Sequence, residues 1–267
     1  MAAGAVKEAL YGRNPVREVL RAGRRTFRRL LLAEGVRRNP QVEEVVVLAR
    51  RRGCPVEAGS RDDLSRLARS HEHQGMVLES GPYPYAAFEE IVGAAQESGP
   101  AALVLLLDRL QDPQNLGTLL RTAEAVGVQG VLLPEHRAAA VTPAVVKASA
   151  GAAEHLSIAQ VTNLARALQD LQEAGLWVMG LEEDPQAVLY TAVDWNRPLA
   201  VVVGSEGFGL QRLVRERCDG LVRLPMQGRV GSLNAAVAGS VILYEIWRCR
   251  GGFPARPRSG EPPQDGG

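Results

Sequence analysis

The sequence predicts an α/β protein, with a parallel-sheet domain following a smaller βα domain. Three observations carry this. Short apolar runs alternate with helical stretches along most of the chain, the pattern of a parallel sheet with crossover helices. One run, AALVLLL (residues 101–107), is apolar without alternation, as a strand covered on both faces requires. Asn-Pro dipeptides open two helical stretches and glycines close them, which fixes where strands give way to helices.

In order, NPVREVLRAG reads as a helix with Asn14 as N-cap, Pro15 at its first position and Gly23 as its stop. FRRLLLAEG is a strand into a turn, and Asn39 to Gly53 repeats the Asn-Pro start and Gly stop. PVEAGS and RDDLSRLAR give a strand and a helix, and HQGMVLES is a closing strand. These elements make a domain over residues 1–80. Residues 81–100, bounded by Gly and Pro with a short helix between, read as a linker. The second domain, residues 101–250, opens with the buried strand. It continues through a helix at Leu116–Val126, the strand GVLLP, and helices at Pro143–Ser149 and Asn163–Ala174. The strands WVMGLE, LAVVV and GLVRLPM follow, then a terminal helix at Asn234–Cys249. Residues 251–267, rich in Gly and Pro, are expected to be a disordered tail.

A hydrophobic content of 46% fills a core and 23% charged residues solvate its surface. The first twenty residues lack the apolar core of a signal peptide, and no apolar run approaches the roughly 20 residues of a membrane span. A cytoplasmic protein with no membrane partner is expected. Cys54, Cys218 and Cys249 lack metal-ligand spacing and the four histidines form no HExxH, so no metal is expected. The net charge is +1, but residues 1–52 carry 13 Lys/Arg against 5 Asp/Glu, nearly all of the cations arginine. Arginine forks suit phosphate oxygens. Arg24, Arg25, Arg28 and Arg29 are either such contacts or a solvated helix face.

Three loops could hold chemistry. In LDRLQDPQNLGTLLRTAEAVGV a buried strand ends at Asp108, where ligands bind in open α/β sheets. Asn115 at the helix entrance and Arg121, nearly two turns on and read as the same side, could hold an anion or be a cap and a surface charge. In VVVGSEGFGL the order Gly204, Gly207, Gly209 fits neither a dinucleotide fingerprint nor a P-loop. Glu206 there would suit a cationic or neutral ligand, or be a turn residue. In LPMQGRVGSLN, Ser232 and Asn234 stand at a helix N-terminus, able to cap it, to bind a ligand, or both.

Taken together, DPQNLGTLLRTAEAVGV, VVVGSEGFGL and LPMQGRVGSLNAAVAGSVILYE resemble the three motifs of the SpoU/TrmH family of RNA ribose 2'-O-methyltransferases, in the SPOUT superfamily. LYGRNPVREVL and HQGMV resemble the L30e-like substrate domain of the 23S rRNA guanosine branch. The resemblance implies an α/β knot in which the C-terminal segment forms a trefoil knot, S-adenosyl-L-methionine as cofactor, and a homodimer with the small-residue terminal helix near its interface. It implies cofactor contacts at Gly204, Leu224, Met226 and Leu233, with Leu233 packed on the cofactor and Ser232 and Asn234 facing the reaction. It matches Arg121 to the family's catalytic arginine and Asn115, Glu206, Ser232 and Asn234 to the other polar motif positions. Because a guanidinium is a poor base, Arg121 is expected to contact the adjacent phosphate and stabilise the oxyanion, and the other four to position it, the ribose and the cofactor. It places RNA contacts at Arg13, Asn14, Arg24, Arg25, Arg28 and Arg29. Alternatives are a tRNA methyltransferase of the same family, a catalytically silent RNA-binding protein, and an NAD(P) oxidoreductase, which the glycine order disfavours.

Overall fold

The computed structural model describes residues 7–205, 207–229 and 231–252. The tail beyond residue 252 and Glu206 lie outside them. The first unit is a mixed sheet of β1 (Glu8–Tyr11), β2 (Phe27–Ala33), β3 (Val56–Gly59) and β4 (Met76–Ser80), in the order β1-β4-β2-β3. β4 runs antiparallel to β1 and β2, while β2 and β3 are parallel. A parallel pair needs a crossover, and α2 (Pro40–Arg51) supplies it. As the sequence predicts, the Asn39 side chain caps α2 by accepting from Val42 N–H at 2.9 Å, with Pro40 in its first turn.

The same reading fails for α1 (Arg13–Ala22), whose N-cap is Gly12. Gly12 takes φ 94°, which turns the chain directly from β1 into the helix and moves its start ahead of Asn14. Asn14 is left inside the first turn, where its Oδ1 accepts from Gln41 Nε2 at 2.6 Å. Gly23 ends α1 in the left-handed conformation, as expected. α3 (Arg61–Ala68) begins with a reciprocal Ser60–Asp63 capping box.

The second sheet is all parallel: β5 (Leu103–Leu107), β6 (Gly130–Pro134), β7 (Ile158–Val161), β8 (Trp177–Leu181), β9 (Val188–Leu189), β10 (Leu199–Val203) and β11 (Gly220–Arg223). Their order is β7-β6-β5-β10-β8-β11-β9, so β5 and β10 are central and every residue in them is buried. Alternate residues feed two cores, one on each face. Leu103, Leu105, Leu107, Val201 and Val203 meet α5 (Pro113–Ala125) and α9 (Ala235–Cys249). Val104, Leu106, Ala200 and Val202 meet α4 (Phe88–Ser98), α7 (Leu164–Glu173) and α8 (Arg212–Arg217). The segment expected to be a linker therefore does more than connect. Its helix α4 buries Ile91 and Ala95 in the second core, because a helix with an apolar face on this sheet has a place to put it. α6 (Pro143–Ala148) packs against α5 and β1.

The two units are docked by a buried ion pair. Arg25 Nη2 donates to Glu154 at 2.7 Å and Arg25 Nη1 to Glu8 at 2.6 Å, with the side chains of Arg25 and Glu154 both 0% exposed. Arg25 is thus not a surface contact for RNA. Its guanidinium faces inward, between the carboxylates of Glu154 and Glu8. Burial opposes the arginine charge, but hydrogen bonds and charge from Glu154 and Glu8 outweigh it and hold the guanidinium above its ordinary pKa. Beside it, Arg24 donates to the carbonyls of Leu156 (2.6 Å) and Pro84 (3.1 Å), and the Tyr83 hydroxyl donates to Leu156 O at 2.8 Å. Replacing Glu154 by Ala should cost about 3–5 kcal/mol, since it leaves a buried cation with Glu8 as its one remaining carboxylate partner among the described residues, whereas the double change Arg25→Met/Glu154→Met should recover most of that. Urea unfolding of the three proteins measures both effects.

Candidate functional site

Loops leaving the carboxyl ends of β8, β10 and β11 enclose a cleft of about 290 Å³. Gly204, Leu224, Met226 and Leu233, the four positions expected to contact cofactor, all line it, together with Ser232. Leu224 is buried, and Leu233 is 41% exposed, so its side chain is available to a ligand. The loop after β8 contributes Glu182 and Glu183, which the sequence reading did not assign. Their position just past a strand end was the available signal.

The β10 loop is pinned at two points. Ser205 and Gly209 exchange backbone hydrogen bonds at 3.2 and 3.0 Å. Glu182 Oε2 accepts from Leu210 N–H at 2.9 Å, and a Cβ on Gly209 (φ 62°) would collide with the other oxygen of that carboxylate. From the opposite neighbour, Asp108 accepts from the backbone N–H of Gln211 at 2.6 Å and from its side-chain amide at 2.5 Å. Asp108 is 0% exposed, and it too was an unassigned strand-end residue. Two carboxylates from the strands flanking β10 thereby fix the loop between them.

Asn115 and Asn234 are brought together. Asn234 Oδ1 accepts from the N–H groups of Ala236 (3.0 Å) and Val237 (3.1 Å), while its Nδ2 donates to Asn115 Oδ1 at 2.9 Å. Asn234 is the cap of α9 as predicted. Asn115 is not a cap: Asp112 caps α5 by accepting from Gln114 and Asn115, leaving the Asn115 side chain to reach across. Two helix N-termini meet at this amide pair, a setting that favours electron-rich groups.

Arg121 does not share that face. It is exposed and lines a second cleft, between the two units, with Asn14, Arg17, Glu18, Glu124 and His155. Six residues at about 100° each leave Arg121 roughly 120° around the helix from Asn115, not beside it. Asn14, expected to contact RNA, does line the Arg121 cleft; Arg17 and His155 were not singled out. Glu18 accepts from Arg17 Nε at 2.9 Å and pairs with His155 Nε2 at 3.0 Å.

The other arginines divide. Arg13 donates its backbone N–H to Gln74 Oε1 at 2.9 Å. Arg24 is spent on carbonyls at the junction between the units. Arg29 pairs with Glu57 at 2.8 Å and with Glu79. Arg28 is exposed, at 55%, and lies 3.9 Å from Glu79. Residues 24–29 form a loop and the start of β2, so the helix-face alternative does not apply. Glu206 lies outside the described residues. Among the described residues no group of three His, Cys, Asp or Glu side chains is placed to hold a metal ion.

A parallel sheet with a ligand cleft in its strand-end loops, joined to a docked accessory unit, is the framework of an enzyme that presents one small molecule to a larger one. The profile described as RNA 2'-O ribose methyltransferase substrate binding matches residues 9–86, the whole first unit, which makes the class an RNA methyltransferase. The chain belongs to the SpoU rRNA Methylase family, whose profile matches residues 102–244. It is 42% identical over 241 residues to YacO of Bacillus subtilis, assigned to the TrmH family of tRNA/rRNA methyltransferases, with 90% of this chain and 95% of YacO covered. Two solved structures are similar across both units. The AdoMet-bound rRNA methyltransferase from Sinorhizobium meliloti has 26% identity and TM-score 0.73, covering 91% of this chain and 87% of that one. The SpoU methyltransferase AviRb from Streptomyces viridochromogenes, in complex with AdoMet, has 25% identity and TM-score 0.76, covering 92% of each.

Two outcomes follow from this geometry. Asn234→Ala should cost about 1 kcal/mol in urea unfolding through the lost cap. Asn234→Asp should cost less, because a carboxylate still accepts both N–H groups although it cannot donate to Asn115. For Glu18, burial opposes ionisation, but hydrogen bonds from His155 and Arg17 and the charge of Arg21 hold its carboxyl below the ordinary value of 4.5. Its stabilising contribution is therefore complete above that pH and is lost as pH falls through the lowered value. The stability deficit of Glu18→Gln should accordingly be largest near neutrality and vanish in acid, as read from unfolding midpoints across pH.

Proposed function

We propose that this protein transfers a methyl group from S-adenosyl-L-methionine to a ribose 2'-hydroxyl of a guanosine in 23S rRNA. The observation that carries the reading is the strand-end cleft itself, with apolar walls at Leu224, Met226 and Leu233 and the backbone of Gly204 at its base. An adenosine suits such a site: its ring takes apolar walls and backbone partners rather than a phosphate cradle. When bound, S-adenosyl-L-methionine supplies an electrophilic methyl group. Ser232, Asn234 and Asn115 position the ribose at the paired helix N-termini, and Glu206 acts with them. Arg121 holds the neighbouring phosphate while it stabilises charge developing on the 2'-oxygen.

Arg121 does not line the cofactor cleft of its own chain, and α9 leaves Val237, Val241 and Tyr244 exposed along one side. Both facts support a homodimer packed through α9, in which Arg121 of one protomer serves the cleft of the other. The insertion of β10 between β5 and β8, with α9 returning onto α5, supports a C-terminal trefoil knot. The N-terminal unit is read as L30e-like, with Arg13, Asn14 and Arg28 toward RNA. A cytoplasmic location fits a chain in which no described helix is long and apolar enough to cross a membrane.

The rRNA substrate is favoured by the likeness to the Sinorhizobium rRNA methyltransferase across both units. A tRNA substrate is the second reading, since the description of YacO includes both RNAs. Methyl transfer from labelled S-adenosyl-L-methionine to separate rRNA and tRNA pools, with nuclease mapping, tests the proposal. Label at one ribose of large-subunit rRNA is expected. Label only in tRNA overturns the substrate, and no label with no cofactor binding overturns the activity. Arg121→Ala should lower turnover by about a hundredfold or more, as loss of one oxyanion donor does, with cofactor affinity nearly unchanged.

A further inference from the structure

We propose that Glu182 is a cofactor-binding carboxylate that accepts hydrogen bonds from the vicinal ribose hydroxyls of the adenosine moiety. The inference rests on the S-adenosyl-L-methionine reading above and adds to it a residue outside the three motifs. Glu182 is the first residue after β8, and its backbone N–H donates to Val222 O at 3.0 Å, so its place at the cleft wall is set by the sheet. Glu182 lines the same cleft as Gly204, Met226 and Leu233.

The carboxylate has unused capacity. An ionised carboxylate offers about four acceptor positions, and among the described residues only Leu210 N–H donates to this one. Arg223 also lines the cleft, but its Nε donates to Ala187 O at 3.2 Å. A half-buried carboxylate with a single neutral donor among the described residues keeps acceptor positions open to a donor within the cleft. A ribose diol presents two, side by side, which matches the two oxygens of one carboxylate.

Position distinguishes the diol from the cationic end of the cofactor. In the sheet β8 and β5 lie on opposite sides of β10. Glu182 follows β8, whereas Asn115 stands at the head of α5, after β5, beside Asn234. The reacting methyl belongs at the Asn115–Asn234 side, so Glu182 is at the far end. A carboxylate beside the sulfonium would also work against transfer, because it would stabilise a positive charge that the reaction removes. Beside the neutral diol it has no such cost. The same carboxylate ties down Leu210, so cofactor binding and the shape of the β10 loop are read by one group.

The test is calorimetric binding of S-adenosylhomocysteine and its 2'-deoxy and 3'-deoxy analogues to the full chain, its Glu182→Ala variant and its Glu182→Gln variant. The unaltered protein should lose about ten- to a hundredfold in affinity on removal of a hydroxyl, the range for a hydrogen bond to a charged group. Glu182→Ala should bind the parent ligand that much more weakly and then distinguish the three ligands by no more than about twofold. Glu182→Gln keeps an oxygen for Leu210 N–H and should lose discrimination at one hydroxyl at least. If either variant weakens all three ligands equally and keeps the original discrimination, Glu182 is only a loop fastening and the proposal falls. If the unaltered protein binds none of the three, the cofactor reading falls and takes this proposal with it.

Discussion

The Arg25–Glu154 ion pair is the constraint on which the arrangement of the two units depends. Neither side chain touches water, so each charge has given up its hydration, and the other, with Glu8 and the carbonyl of Gly81, replaces it. Such a pair tolerates little displacement. It fixes the turn at residues 152–155 against the start of β2, and with it the cleft where α1 brings Asn14, Arg17 and Glu18 to Arg121. Arg24 and Tyr83 reinforce the joint through main-chain carbonyls, contacts that do not depend on the side chains opposite.

The catalytic unit uses its buried sheet in a comparable way. Apolar β5 and β10 fill the centre and cannot themselves do chemistry, so polar function collects where they end. Asp108 and Glu182 hold the β10 loop from either side, and the linked amides of Asn115 and Asn234 join the heads of α5 and α9. The parts that form the cleft are thus tied to one another by side chains from neighbouring strand ends, and its rigidity is inherited from the sheet.

Much of this was legible in the sequence where the signal is local. Unbroken apolar runs gave β5 and β10, Asn39 and Asn234 announced the caps of α2 and α9, and Gly23 the end of α1. Gly204, Leu224, Met226 and Leu233 were found through a resemblance, and the fold assembles them in one cleft. What escaped is non-local or weakly patterned. β1 and β7, four residues each, and β9, two, were not set apart by their sequence. Arg25 looks like its surface neighbours until Glu154, 129 positions later, is folded against it. Arg121 was placed beside Asn115 by counting turns loosely, when the helical angle separates them. Asp108 and Glu182 belong to no repeated pattern, and only the juxtaposition of β5, β10 and β8 reveals what they hold.

The position of β10 also bears on how the chain is made. The strand occupies the middle of the sheet, yet β5 and β8, its two neighbours, are both synthesised before it. As the polypeptide emerges, each of those strands has an open edge and an apolar surface with no partner. β5 can already pair with β6, but β8 has no partner strand until residues 199–203 arrive, because β11 follows β10 in the sequence. Pairings of this long range are slow to form, and unpaired edges invite association with other chains. The strand that makes the core continuous is thus the last of the three central strands to appear, and until it does the nascent protein is at its most vulnerable.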